Sequence, residues 1–145
     1  MGRLSEFFGK KIYLDTNVLI YALEGFPDYS GVLTALFQAV DQELLRAFTS
    51  ELTIAEVLVK PFIDRNRERE HAYLELFDGS GPLHVEPVTR SILIEAARLR
   101  ALHPLRLPDE IHLATAFFSE CSFFITNDFR INPVSGLDVI RLSEL

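Results

Sequence analysis

The sequence predicts an α/β fold: a single domain with a central parallel β-sheet flanked by helices. Short apolar runs alternate with stretches of helical period. The runs are apolar at consecutive positions, as strands covered on both faces must be. No repeat of 20–50 residues, low-complexity tract or Gly/Ser-rich linker divides the chain. Residues 1–145 are therefore read as one unit, with 1–10 as an N-terminal extension.

Lys11 to Asp15 reads as the first buried strand, followed by a helix over Thr16–Glu24 with Gly25 as its stop. A second helix is expected over Tyr29–Leu45, then a strand over Arg46–Thr49. Ser50 can cap a helix starting at Glu51, which Pro61 should end or kink. Helical spacing resumes over Asn66–Phe77 until Gly79-Ser80-Gly81-Pro82 breaks it. Leu83-His84-Val85 is a short strand. Thr89 caps a helix over Arg90–Leu102 whose Ile92, Ala96 and Leu99 face the core. Pro108 suits the first turn of a helix running to about Glu120. Ser122–Thr126 is a fully apolar strand, and Val139–Leu142 is the last.

The chain has 145 residues, 14 basic against 21 acidic, for a formal charge of −7. With 48% hydrophobic and 24% charged residues it is not disordered, and no apolar run reaches the ~20 residues of a membrane span. The opening segment lacks the apolar core of a signal peptide, so a cytoplasmic protein is expected. The single cysteine, Cys121, excludes an internal disulfide and a cysteine-based zinc cage. Net acidity argues against gripping nucleic acid by charge alone.

Four acids stand out by position. Asp15 follows the first strand and Asp128 follows the apolar strand ending at Thr126, and ligands of open parallel sheets collect at such strand ends. Asp109, in the first turn of its helix, shares a side with Leu113 and Ala116 and so points inward. Glu56 lies at the border between an apolar stripe (Leu52, Ala55, Leu58, Val59) and the face carrying Thr53 and Lys60. Singly, each has a plain reading as a turn, cap or surface residue. Together they suggest a site, because inward carboxylates repel one another and a hard divalent cation offsets that cost.

Leu14-Asp15-Thr16-Asn17-Val18-Leu19-Ile20, Thr49-Ser50 with Leu52–Val57, Leu107-Pro108-Asp109 with Ile111–Ala116, and Ile125-Thr126-Asn127-Asp128 together resemble the PIN-domain ribonucleases. That family includes the toxins of VapBC-type toxin–antitoxin pairs. The segments follow the family's order across about residues 12–142. The resemblance implies hydrolysis of RNA phosphodiesters at one or two Mg²⁺ or Mn²⁺ ions held by Asp15, Glu56, Asp109 and Asp128. Thr16, Asn17, Thr126 and Asn127 match its supporting polar residues. It also implies a small antitoxin partner and a homodimer. Glu110 departs from the family, which usually has a small residue there; it either adds a fifth carboxylate or, the favoured reading, pairs with a nearby arginine.

Arg106 and Arg130, each within three residues of a proposed ligand, are the candidates for gripping RNA phosphates. The run Arg65–Glu70 reads as a solvated helix start. His71, His84, His103 and His112 have no metal-binding spacing and read as surface or core-edge histidines. Cys121 reads as a structural thiol, and no Gly-rich phosphate loop is present. Two rivals stay open: a PIN fold serving only as a protein- or RNA-binding module, and a PIN nuclease of RNA processing without an antitoxin.

Overall fold

A computed structural model describes residues 3–132 and 136–145. Its centre is a parallel sheet of five strands in the order β3-β2-β1-β4-β5, flanked by six helices. The strands are β1 (Lys11–Leu14), β2 (Arg46–Ser50), β3 (His84–Glu86), β4 (Phe123–Thr126) and β5 (Asp138–Arg141). The helices are α1 (Thr16–Glu24), α2 (Ser30–Asp41), α3 (Glu51–Asp64), α4 (Arg67–Leu76), α5 (Arg90–Leu102) and α6 (Leu107–Phe118). From central β1 the chain builds outward to β2 and β3, then returns to lay β4 on the other side. The order therefore reverses between β1 and β4, which opens a crevice at their carboxyl ends.

Alternation along β1 splits the core in two. Ile12 and Leu14 pack with Val18, Leu19, Leu33 and Leu36 under α1 and α2. Tyr13 points to the opposite face and packs with Phe48, Phe124, Leu113 and Ala116 under α6. The N-terminal stretch joins the first of these layers: Phe7 is fully buried, its ring 4.6 Å from that of Phe123. Arg3 donates its backbone N–H to the Leu145 carbonyl.

Helix ends account for most departures from the expected boundaries. In α1 the left-handed residue is Gly25, and the next N–H, of Phe26, returns to the Tyr21 carbonyl. Glu43, Arg65 and Glu120 adopt the same left-handed backbone without being glycine. The N–H groups of Leu44, Asn66 and Cys121 likewise return to the carbonyls of Ala39, Pro61 and Ala116. Helix α2 consequently stops at Asp41 rather than Leu45, and α6 at Phe118 rather than Glu120. Pro61 does not end α3, because only one backbone bond is lost and the turn beyond it is closed by Arg65 and Asn66.

The buried face of α3 is also rotated from the expected stripe. Thr53, Val57, Leu58 and Pro61 face inward, while Ala55 and Val59 are exposed. Hydroxyl bonds to Thr49 and Thr16 draw Thr53 inside, and the helix turns with it.

Candidate functional site

Asp15 ends β1 and caps α1. Its Oδ1 accepts from the Thr16 N–H at 2.9 Å, while Oδ2 accepts from Thr126 Oγ1 at 2.7 Å and from Asn17 Nδ2 at 3.4 Å. The carboxylate is thus held from both sides of the β1–β4 crevice. Burial pushes its pKa up, partly opposed by the positive potential of His112, and the charge of Asp109 adds to the rise. Asn17 also accepts the Asn127 N–H at 3.1 Å, and Thr126 Oγ1 accepts the Asp128 N–H at 3.0 Å. These bonds tie the loop after β4 to the start of α1. The Asn127 Oδ1 is buried without a partner.

Asp109 is buried in the first turn of α6 and points inward, as its spacing indicates. Its Oδ2 lies 3.4 Å from Arg106 Nε and 3.9 Å from Arg130. Asp128, just after β4, binds the same Arg130 nitrogen at 2.6 Å, and that bond holds its pKa below its ordinary value. One guanidinium therefore spans two carboxylates from different elements, and both candidate phosphate-binding arginines lie against the acids.

Glu56 reaches the crevice from the second turn of α3 and meets a histidine there. His112 Nε2 lies 2.6 Å from Glu56 Oε1, and Thr16 Oγ1 donates to the same oxygen at 2.8 Å. A carboxylate only accepts, so Nε2 carries the hydrogen; in the neutral ring Nδ1 then takes the Tyr13 hydroxyl, 2.6 Å away. Burial pushes His112 down, but the hydrogen bond to Glu56 and the charge of Asp15 raise it overall. Burial pushes Glu56 up, and the bond and charge of His112 hold it below its ordinary value. Beneath them Thr53 bonds Thr49, which donates to the Leu14 carbonyl at 3.0 Å.

The expectation that His112 is a surface or core-edge residue is corrected: it is 1% exposed and lies inside the acidic cluster. The signal was present in the sequence, since His112 follows Asp109 by three residues and shares its inward side. Tyr13, Thr49 and Thr53 were also missed as site residues, because each lies in a run that reads as core or surface.

Glu110 does not pair with an arginine. It is fully buried, its Oε1 is 3.6 Å from His103 Nδ1, and neither oxygen has a hydrogen-bond partner. Burial raises its pKa, opposed by His103. Elsewhere Cys121 is a buried thiol pushed up to about 12 by burial. Arg69 of the charged run pairs with Glu24.

The oxygen donors suit a hard divalent cation. Among the described residues, however, no three His, Cys, Asp or Glu side chains surround a common point as a ready metal cage. The reason is visible in the pairings: Asp128 is turned to Arg130 and Glu56 to His112. No helix of the described residues is long and apolar enough to cross a membrane.

The solved structures with this fold include VapBC2 from Rickettsia felis bound to a promoter DNA fragment, with a TM-score of 0.70 at 16% identity over 90% of this chain and 98% of that one. A toxin–antitoxin complex from Klebsiella pneumoniae gives 0.69 at 23% identity, over 92% and 99%. FitAcB from Neisseria gonorrhoeae gives 0.67 at 20% identity, also over 92% and 99%. No curated protein sequence matches the chain. The PIN domain family model matches residues 12–137, from the second residue of β1 to the residue before β5. Over that span the chain belongs to the PIN domain family.

Proposed function

We propose that this chain is a divalent-metal-dependent endoribonuclease that hydrolyses RNA phosphodiester bonds at the β1–β4 crevice. The observation that carries the reading is that Asp128 and buried Asp109 share the Arg130 guanidinium while the charge of Asp109 also acts on buried Asp15 at the end of β1. Carboxylates within reach of one another's charge are stabilised by a countercharge. Asp15 and Asp109 would be the principal ligands of Mg²⁺ or Mn²⁺, with Asp128 and Glu56 completing the set. Such an ion, when bound, acidifies water and offsets the charge that builds on the phosphate.

The protein's own groups divide the remaining work. Thr126 and Asn17 fix the orientation of Asp15, as partners of ligating carboxylates do. His112 and Thr16 hold Glu56 by Oε1, which leaves Oε2 to accept a proton from the attacking water. The bond from His112 keeps Glu56 ionised and ready for that role. Arg106 and Arg130 contact RNA phosphates. The test is Asp15→Asn: Mn²⁺-stimulated cleavage of RNA should vanish while circular dichroism and thermal melting report a folded protein. Cleavage at near wild-type rate would overturn the site. Calorimetry with Mn²⁺ separates this reading from a PIN module that only binds, which would neither bind the ion nor be stabilised by it.

The toxin role is the second part of the reading. The neighbouring solved structure from K. pneumoniae is a toxin–antitoxin complex, and that from R. felis is VapBC2 on promoter DNA. In this chain an apolar cleft of about 450 Å³ opens between α1 and α2, lined in part by Leu23, Leu33 and Phe37. Phe26, just after α1, and Phe62, in α3, are exposed, whereas Tyr73 is fully buried with its hydroxyl on Glu24. A small antitoxin covering the cleft, and a homodimer, complete the proposal. Growth arrest on expression, relieved by co-expressing the protein encoded by a short neighbouring reading frame, is the expected outcome.

A further inference from the structure

Phe129 follows Asp128 directly and is 70% exposed, the most exposed phenylalanine of the described residues. A large ring left in water beside a charged cluster forgoes the burial that usually decides where phenylalanine sits. Its position is nevertheless held. Arg141 lies over the ring with its guanidinium carbon 5.3 Å from the centroid. The same guanidinium donates to the Ile131 carbonyl at 2.6 Å and to the Phe129 carbonyl at 3.5 Å. The arginine is thereby fixed to the loop and backs one face of the ring.

The location follows from sheet register. Arg141 ends β5 opposite Thr126 of β4, and Thr126 is the residue that donates to Asp15. The ring therefore stands at the edge of the acidic crevice, one residue from Asp128 and flanked by Arg130. An exposed aromatic backed by a guanidinium, next to arginines placed for phosphate, is the arrangement by which proteins hold unpaired bases: the ring stacks and the cations track the backbone.

We propose that Phe129, with Arg141 behind it, is a stacking platform for one unpaired nucleobase of the RNA strand bound at the acidic site. The proposal rests on the ribonuclease reading above, and it assigns Phe129 and Arg141 a contact with the bound strand. Stacking tolerates every base, so the platform confers preference for unpaired strands rather than for a sequence.

The chain has no tryptophan, so F129W introduces a single fluorescent reporter at the platform. Rapid mixing of F129W with a single-stranded oligoribonucleotide in Mn²⁺ reads binding before cleavage. Quenching of the indole on binding is expected, and it should be lost with an oligonucleotide of the same length and charge that carries abasic residues. F129A should weaken single-stranded RNA binding by about tenfold or more and raise KM more than it lowers kcat. F129Y should recover most of the affinity. RNA bound by anisotropy with no change in F129W emission overturns the platform while leaving the ribonuclease reading intact. Failure of the wild-type protein to bind RNA overturns both. F129A that alters sedimentation but keeps RNA affinity assigns the ring to a contact between protein copies, which also overturns the platform.

Discussion

His112 Nε2 stands 2.6 Å from Glu56 Oε1, joining α6 to α3 across the mouth of the crevice. Both partners are also bonded to Thr16 at the start of α1, through contacts of 2.8 Å and 3.2 Å. Three helices thus meet at one oxygen-rich point.

Removing the imidazole should be felt in folding and in function. His112→Leu leaves the Tyr13 hydroxyl and Glu56 Oε1 without their shared partner, which is expected to lower stability by about 1–3 kcal/mol. Cleavage should fall by about 10–100-fold, the usual effect of losing a residue that orients a site carboxylate. His112→Gln keeps an N–H that can reach Glu56 and should recover part of the activity. Denaturant melts and cleavage rates on the two variants check this.

The same pair shapes the pH dependence. The folded pKa of His112 is raised, so its stabilisation is complete below the unfolded value and is lost as pH rises through the folded one. The folded pKa of Glu56 is lowered, so its contribution is present above its unfolded value and is lost as pH falls through the folded one. Buried Asp15 has a raised pKa, so the folded state binds its proton more readily and stability also declines as pH rises from the unfolded value to the folded one. Urea midpoints should therefore fall from mildly acidic to alkaline pH, less steeply in His112→Gln. On the proposed function, Mn²⁺ should raise the melting temperature more as pH rises, because a cation would bind the ionised acids.

Glu110 should be a liability at high pH. Its carboxyl is buried, unpartnered and shifted upward by burial, so ionising it costs stability above its folded pKa. Glu110→Met, close in volume, is expected to raise stability at pH 8 by about 1 kcal/mol or more and to change it less at pH 5. Mn²⁺ affinity should be unchanged by calorimetry, since the side chain faces His103 rather than the other acids.

Arg130 sits where two charges compete. Its guanidinium binds Asp128 at 2.6 Å and approaches Asp109 at 3.9 Å, so it occupies oxygens that a metal would use. Arg130→Ala should tighten Mn²⁺ binding while weakening RNA binding and lowering its salt slope by about one. Calorimetry and filter binding read the two opposite changes.

Much of the fold was legible because β1 and β4 hold short apolar runs between helices, and Ser50 and Thr89 are strong caps. Helix ends were less legible. Gly25 announces its left-handed cap, whereas Glu43, Arg65 and Glu120 adopt the same conformation with side chains that carry no such preference. Helical period encodes the inward direction of Asp109 and, three residues on, of His112. It does not encode the face of α3, since Thr53 is polar and is buried only because Thr16 and Thr49 meet it there.

Sequence by itself determined the family and the parallel α/β architecture, and singled out four candidate acids, because local periodicity and ordered motifs specify elements and what lies at their ends. Tertiary structure decided the partners. Glu56 is paired with His112 across 56 residues, Asp15 with Thr126 across 111, and Asp109 and Asp128 share one arginine. Such pairings depend on strand order and helix rotation, which bring distant residues within hydrogen-bond range, and no spacing along the chain encodes them. The net charge of −7 carries the same lesson: acids that count against nucleic acid as a sum become, once gathered at one crevice, the means proposed for cutting it.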